Sequence, residues 1–249
     1  MDKKETLKPR LVRGVGVLLD PDKFTDSSLK TILQSAHESK TDYILVGGSL
    51  SSVGIDILID RIKEQSQIPV ILFPGNLLQI NVKADIILFL SLISGRNPEF
   101  LIGNHVIAAP FLKDHRRKIV PVGYILVNCG TKTSVEYMSH TDAIPCDKTE
   151  IVVATALAGE MLGLKMIYLE AGSGSTHHIP LDVISAVRQN VSIPIIAGGG
   201  IRNEEEAEAI FKAGADMIVL GNGCEKDPGL LARVCAVRDK LATKNDPLT

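Results

Sequence analysis

At 249 residues the chain has the length of one (β/α)8 barrel, about 250 residues being typical, so one core accounts for it. Hydrophobic residues make up 45% and charged residues 22%, which excludes the disordered and fibrous classes. A net charge of -2, 4% aromatics and no Trp offer neither a footprint for a polyanion nor a stacking platform for bases, and no nucleic acid partner is expected.

Eight short apolar runs recur along the chain, at residues 15–19, 43–46, 70–73, 86–90, 120–127, 166–169, 195–197 and 217–220. They are continuously apolar and do not alternate, as parallel strands covered on both faces do. Polar, helix-like stretches separate them, and the alternation predicts an α/β fold, a single (β/α)8 TIM barrel over residues 1–249 with loose ends at 1–13 and 240–249. The first run ends in Asp20-Pro21-Asp22-Lys23 and the second in Gly47-Gly48-Ser49. After the third come Pro74-Gly75-Asn76 and too few residues before Asp85 for a crossover helix with its loops, so the third helix is expected to be replaced by an irregular segment. Residues 86–93 form the densest apolar stretch, far short of the ~18 residues of a spanning helix, and read as a buried strand running into a loop. Residues 128–147 read as an insertion, before a helix over 149–162. Near the end, Asn203 is placed to cap a helix that Gly214 stops.

The strand ends form the active face of such a barrel. The seventh run ends Gly198-Gly199-Gly200-Ile201 and the eighth Gly221-Asn222-Gly223, at the two loops that commonly hold phosphate through backbone N–H groups in this fold; tight turns alone are the alternative. The sixth run leads into Tyr168-Leu169-Glu170-Ala171-Gly172-Ser173-Gly174. That places Glu170 in the mouth, to take a proton from a hydroxyl or to hold it, a salt bridge being the alternative. His177 and His178 follow on a polar loop and receive no role. Asp20 and Ser49, on neighbouring strand ends, suit Mg²⁺, which uses few protein ligands beside phosphates and water; Asp20 equally suits a turn cap. Cys129, Cys146, Cys224 and Cys235 form no zinc-spaced pattern and read as reduced thiols, and the polar, basic residues 1–13 lack the apolar segment of a signal peptide, which predicts a cytoplasmic protein.

Together these motifs resemble the geranylgeranylglyceryl phosphate synthase family, with its heptaprenylglyceryl phosphate synthase branch. The matching pieces are Leu19-Asp20-Pro21-Asp22-Lys23, Gly47-Gly48-Ser49, Phe73-Pro74-Gly75-Asn76, the Tyr168–Gly174 string, Gly198-Gly199-Gly200-Ile201 and Gly221-Asn222-Gly223, in order along the chain. The resemblance implies a modified barrel and a Mg²⁺-dependent transfer of a prenyl group from a prenyl diphosphate to the 3-hydroxyl of sn-glycerol 1-phosphate, with pyrophosphate leaving. It implies Asp20 and Ser49 as metal ligands, and Tyr168, Leu169, Glu170, Ala171, Gly172, Ser173, Gly174, Gly199, Gly200, Gly221 and Asn222 around glycerol phosphate. Leu18 stands where the heptaprenyl branch carries a Lys, so the chain is similar to the larger, often hexameric group of geranylgeranyl enzymes. A homo-oligomer, hexamer or dimer, and transient membrane association through the lipid product are expected. Residues 90–103 are the candidate lining of the prenyl groove, and Tyr137 and Met138 candidate interface anchors. The competing readings are a phosphate-binding barrel of other chemistry, such as a sugar-phosphate isomerase or thiamine phosphate synthase, and a non-catalytic barrel.

Overall fold

A computed structural model describes residues 14–48, 54–130, 132–227 and 229–244. The strands are β1 (Gly14–Leu19), β2 (Tyr43–Val46), β3 (Val70–Leu72), β4 (Ile86–Leu92), β5 (Ile119–Asn128), β6 (Ile144–Pro145), β7 (Met166–Glu170), β8 (Ile195–Gly198) and β9 (Met217–Leu220). All pair in parallel in the order β4-β3-β2-β1-β9-β8-β7-β5, and β4 also pairs with β5, which closes eight strands into a TIM barrel. The two residues of β6, inside the 128–147 insertion, only lengthen the sheet beyond β5.

The continuous apolar runs follow from two cores. Side chains such as Leu45, Ile71, Val122, Tyr168, Ile196 and Val219 fill the barrel interior, while their neighbours Ile44, Val46, Leu72, Leu169, Ala197 and Ile218 fill the shell beneath the helices. Because successive residues of a strand point to opposite faces, both sets must be apolar.

The helices are α1 (Asp26–Glu38), α2 (Ile55–Gln65), α3 (Asn104–Leu112), α4 (Ser134–Ser139), α5 (Thr149–Met161), α6 (Leu181–Asn190), α7 (Glu204–Ala213), α8 (Asn222–Lys226) and α9 (Leu230–Lys244). In α1, Leu29, Leu33 and Ala36 share the buried face, and a Thr25–Ser28 capping box starts the helix. Asn203 caps α7 through the Glu206 N–H, and Gly214, at φ +116°, ends it. Between β3 and β4 stands only a 3-10 turn (Leu77–Gln79), the irregular segment that the spacing predicts. Gln79 ties it down, donating to the Gly48 carbonyl at 2.6 Å and accepting from the Gly75 N–H at 2.8 Å. A π turn (Glu99–Gly103) leads into α3.

One expectation is corrected at the C-terminus. Residues 240–244, read as part of a loose end, are the last residues of α9, while 1–13 and 245–249 lie outside the described residues. Arg238 on α9 is buried, pairs with Asp42 and donates to the Lys40 carbonyl at 3.0 Å, and Leu241 is buried below it. Asp42 also accepts the Val15 N–H at 2.8 Å, so the helix is bound to the start of β1. Among the described residues no helix is long and apolar enough to cross a membrane.

Candidate active site

At the C-terminal ends of the strands a cavity of about 580 Å³ opens into the barrel. Its polar end is built on β7. Tyr168 and Glu170 are two residues apart on one strand, so both point inward. Glu170 is 7% exposed; its Oε1 accepts the Gly172 N–H at 2.8 Å, and the Tyr168 hydroxyl donates to the same carboxylate. Burial outweighs these two hydrogen bonds and pushes the Glu170 carboxyl up to about 7. Burial first, then the neighbouring carboxylate, also raises the Tyr124 and Tyr168 phenols well above their ordinary value, which keeps both neutral as donors. Phe73 lies with its ring centroid 5.2 Å from Tyr168, and Tyr124 lies 5.4 Å from Tyr168, so three rings wall the carboxylate.

The loops after β8 and β9 face this wall. Gly199 and Gly200 have φ of +82° and +71°; a side chain on Gly200 would strike the His177 carbonyl, and one on Gly199 would meet the Glu170 carboxylate. Asn222 accepts from Lys23 Nζ at 2.7 Å and donates to Ser173 Oγ at 3.3 Å, which links the loops after β1, β7 and β9. Asp20 follows β1 directly, half-buried, with Oδ2 3.9 Å from Lys23 Nζ and Oδ1 accepting the Asp22 N–H at 3.2 Å. Lys23, Arg202 and the glycine loops therefore surround the mouth with donors suited to a phosphate. The other half of the cavity is apolar, with Leu77 and Ile80 beside the short β3–β4 connection, Leu90 and Leu92 on β4, Phe100 in the π turn and Ala108 on α3.

The PcrB family matches this chain over residues 12–238. The chain belongs to that family. The geranylgeranylglyceryl phosphate synthase of Spirosoma linguale is 51% identical over 226 residues, 90% of this chain and 91% of that protein. That of Chitinophaga pinensis is 44% identical over 225 residues, 90% and 89% of the two chains. The crystal structure of (S)-3-O-geranylgeranylglyceryl phosphate synthase from Thermoplasma acidophilum, in complex with its substrate sn-glycerol-1-phosphate, has a TM-score of 0.86 to this chain at 34% identity and covers 92% of this chain and 94% of that one. This PcrB-family chain is an enzyme, a prenyltransferase, and the readings as another phosphate-binding barrel or a non-catalytic one fall away.

Of the residues singled out in the sequence, Asp20, Tyr168, Glu170, Ser173, Gly174, Gly199, Gly200, Gly221 and Asn222 meet around the cavity of this PcrB-family enzyme. Leu169 and Ala171 do not line it. Their side chains fill the shell between barrel and helices, because the pleat turns them away from Tyr168 and Glu170. Gly172 acts through its N–H on Glu170. Ser49 lies outside the described residues. His177 and His178 stay off the cavity, where their Nδ1 atoms meet Thr176 Oγ1 at 2.9 Å and the Ile179 carbonyl at 2.6 Å. Within 90–103 only Leu90, Leu92 and Phe100 line the cavity; Ile93 packs against the core beneath the helices, and Ile102 is 59% exposed. Tyr137 is 82% exposed, and Met138, half on the surface, also lines the cavity. Sequence reasoning gave no role to Lys23, Phe73, Tyr124 or Arg202. Tyr124 lies in the unbroken buried stretch 122–127 of β5, where no alternation marks the inward face, and Arg202 needs the fold of its loop.

Cys129, Cys224 and Cys235 are buried and unpaired by any disulfide, and Cys146 is exposed. Burial pushes Cys129 up to about 12 and raises Cys235, as reduced structural cysteines require.

Proposed function

We propose that this PcrB-family prenyltransferase joins a geranylgeranyl group, taken from its diphosphate, to the 3-hydroxyl of sn-glycerol 1-phosphate, with release of pyrophosphate. The observation that carries the reading is one continuous cavity with a phosphate-suited mouth, a buried carboxylate of raised pKa and an apolar half. The bond between the allylic carbon and the diphosphate oxygen breaks, and a bond from that carbon to the glycerol oxygen forms. The Gly199, Gly200 and Gly221 backbone and Asn222 hold the glycerol phosphate, which orients its hydroxyl at Glu170. Glu170, with a pKa near neutrality, takes the hydroxyl proton, and the Tyr168 hydroxyl holds the carboxylate in place. The prenyl chain lies along Leu77, Leu90, Leu92 and Phe100, in the space that the absent crossover helix leaves.

Mg²⁺ belongs to this reading. Among the described residues no three His, Cys, Asp or Glu side chains gather as a metal cage. Asp20 in the cavity wall fits the ion, since Mg²⁺ keeps water and substrate phosphates as most of its ligands. An ion held there by Asp20 would supply positive charge for the leaving diphosphate. Assembly into a homo-oligomer, dimer or hexamer, is also part of the reading and is measured by light scattering.

The test is incubation with geranylgeranyl diphosphate, labelled sn-glycerol 1-phosphate and Mg²⁺, followed by lipid extraction. Label in the organic phase is the expected result; label confined to the aqueous phase overturns the proposal. Asp20→Asn is expected to lose Mg²⁺-dependent turnover and keep glycerol phosphate affinity in calorimetry. Unchanged turnover across a Mg²⁺ titration removes Asp20 from the metal site.

A further inference from the structure

The barrel flank beside the β3–β4 gap is apolar on both sides of one helix. α3 turns His105 and Ala108 inward to the cavity. Its outer side, which a helix on a globular surface normally fills with polar residues, carries Val106, Ile107 and Phe111, exposed at 64%, 53% and 74%. Ile102, one turn earlier, is 59% exposed. Leu78, on the 3-10 turn packed against α3, is 91% exposed, although Leu77 beside it lines the cavity. Single exposed apolar residues need no account, but five on one helix and the two turns beside it form a patch.

Directly after α3 the chain reads Lys113-Asp114-His115-Arg116-Arg117-Lys118, four cations against one carboxylate. Lys118 donates to the Val82 and Ala84 carbonyls, and Lys113, Arg116 and Arg117 are exposed. Among the described residues none of these three pairs with a carboxylate.

We propose that this flank is a membrane-docking face for a bilayer containing anionic lipid. The apolar side chains of α3 and Leu78 enter the acyl boundary, and Lys113, Arg116 and Arg117 meet the phosphate headgroups. Charge decides the occupant: an apolar partner alone leaves the three cations without a counter-charge, whereas anionic headgroups over an acyl layer match both parts. The use of this docking, delivery of a prenyl chain from the bilayer to the cavity one helix away, rests on the prenyl-transfer reading; the docking itself does not.

The test is sedimentation of the full chain with vesicles of phosphatidylcholine alone and of phosphatidylcholine with phosphatidylglycerol, at low and raised salt. Binding is expected to the anionic vesicles and to weaken as salt rises. Arg116→Gln/Arg117→Gln is expected to lower partitioning by about 25-fold, about five-fold per cation near the surface. Val106→Ser/Phe111→Ser is expected to lower it by about tenfold or more. Both variants are expected to keep the wild-type melting temperature and the wild-type turnover of a short, water-soluble prenyl diphosphate. The proposal is overturned if the wild-type chain stays in the supernatant with anionic vesicles at low salt, or if folded variants bind as it does. A change of oligomeric state in Val106→Ser/Phe111→Ser, seen by light scattering, also overturns it, since the face then joins two copies. Vesicle binding without prenyl-transfer turnover leaves the docking standing and strikes only the functional reading.

Discussion

Glu170 is held by one backbone N–H and one tyrosine hydroxyl in a pocket that otherwise disfavours its charge, and that balance sets its chemistry. Glu170→Gln keeps the shape and the bond from Gly172 and removes proton acceptance, so kcat is expected to fall by about 10²–10⁴-fold with KM for glycerol phosphate little changed. Wild-type kcat/KM is expected to rise with pH through about 7, and that limb is expected to vanish in the variant. A wild-type kcat with raised KM would show Glu170 to be a binding residue. At Gly200 the constraint is steric and electrostatic together: φ is +71°, the His177 carbonyl blocks a Cβ, and Gly200→Asp adds a negative charge where donors converge. Calorimetry is expected to find no glycerol phosphate binding to the folded variant. Both positions were legible in the sequence as cavity-lining, because each stands at a strand end and the strand ends form the mouth of a barrel. The aromatic wall behind Glu170 was not, since Phe73, just after β3, Tyr124 on β5 and Tyr168 on β7 meet only in the closed ring.

At the scale of elements, the missing helix between β3 and β4 was legible from residue count alone, because a crossover needs a minimum chain length. What fills the gap was not. Gln79 and the π turn before α3 shape it through contacts distant in sequence, Gln79 reaching the Gly48 carbonyl. The C-terminal helix makes the same point. Residues 240–244 read as part of a loose end, yet they continue a helix that Arg238 anchors to Asp42. Asp42→Ala leaves this buried guanidinium without its carboxylate and the Val15 N–H without an acceptor, so a loss of about 3 kcal/mol is expected in urea unfolding. An unchanged midpoint and slope would show that the Lys40 carbonyl and Asp239 suffice for Arg238.

For the whole molecule, the active site works against stability. The Glu170 pKa rises from 4.5 to about 7 on folding, so the folded state binds the proton more tightly than the unfolded state. The advantage is complete below pH 4.5 and is lost as pH rises through about 7, which amounts to about 3 kcal/mol from this group. Glu170→Gln is therefore expected to be the more stable protein above pH 7, with the two converging below pH 4.5 in urea unfolding. A constant difference across that range would remove Glu170 as the cause. The sequence by itself determined the barrel, its eight strands, the missing third helix and the glycine and carboxylate strand ends, because these depend on local periodicity, chain length and backbone freedom. Only the tertiary structure decided which side chains face the cavity, that Leu169 and Ala171 turn away from it, and that α3 stands between an apolar cavity and an apolar surface. Those outcomes depend on pleat direction and on pairings between distant segments, and closure of the ring is the event that creates an inside for them to face.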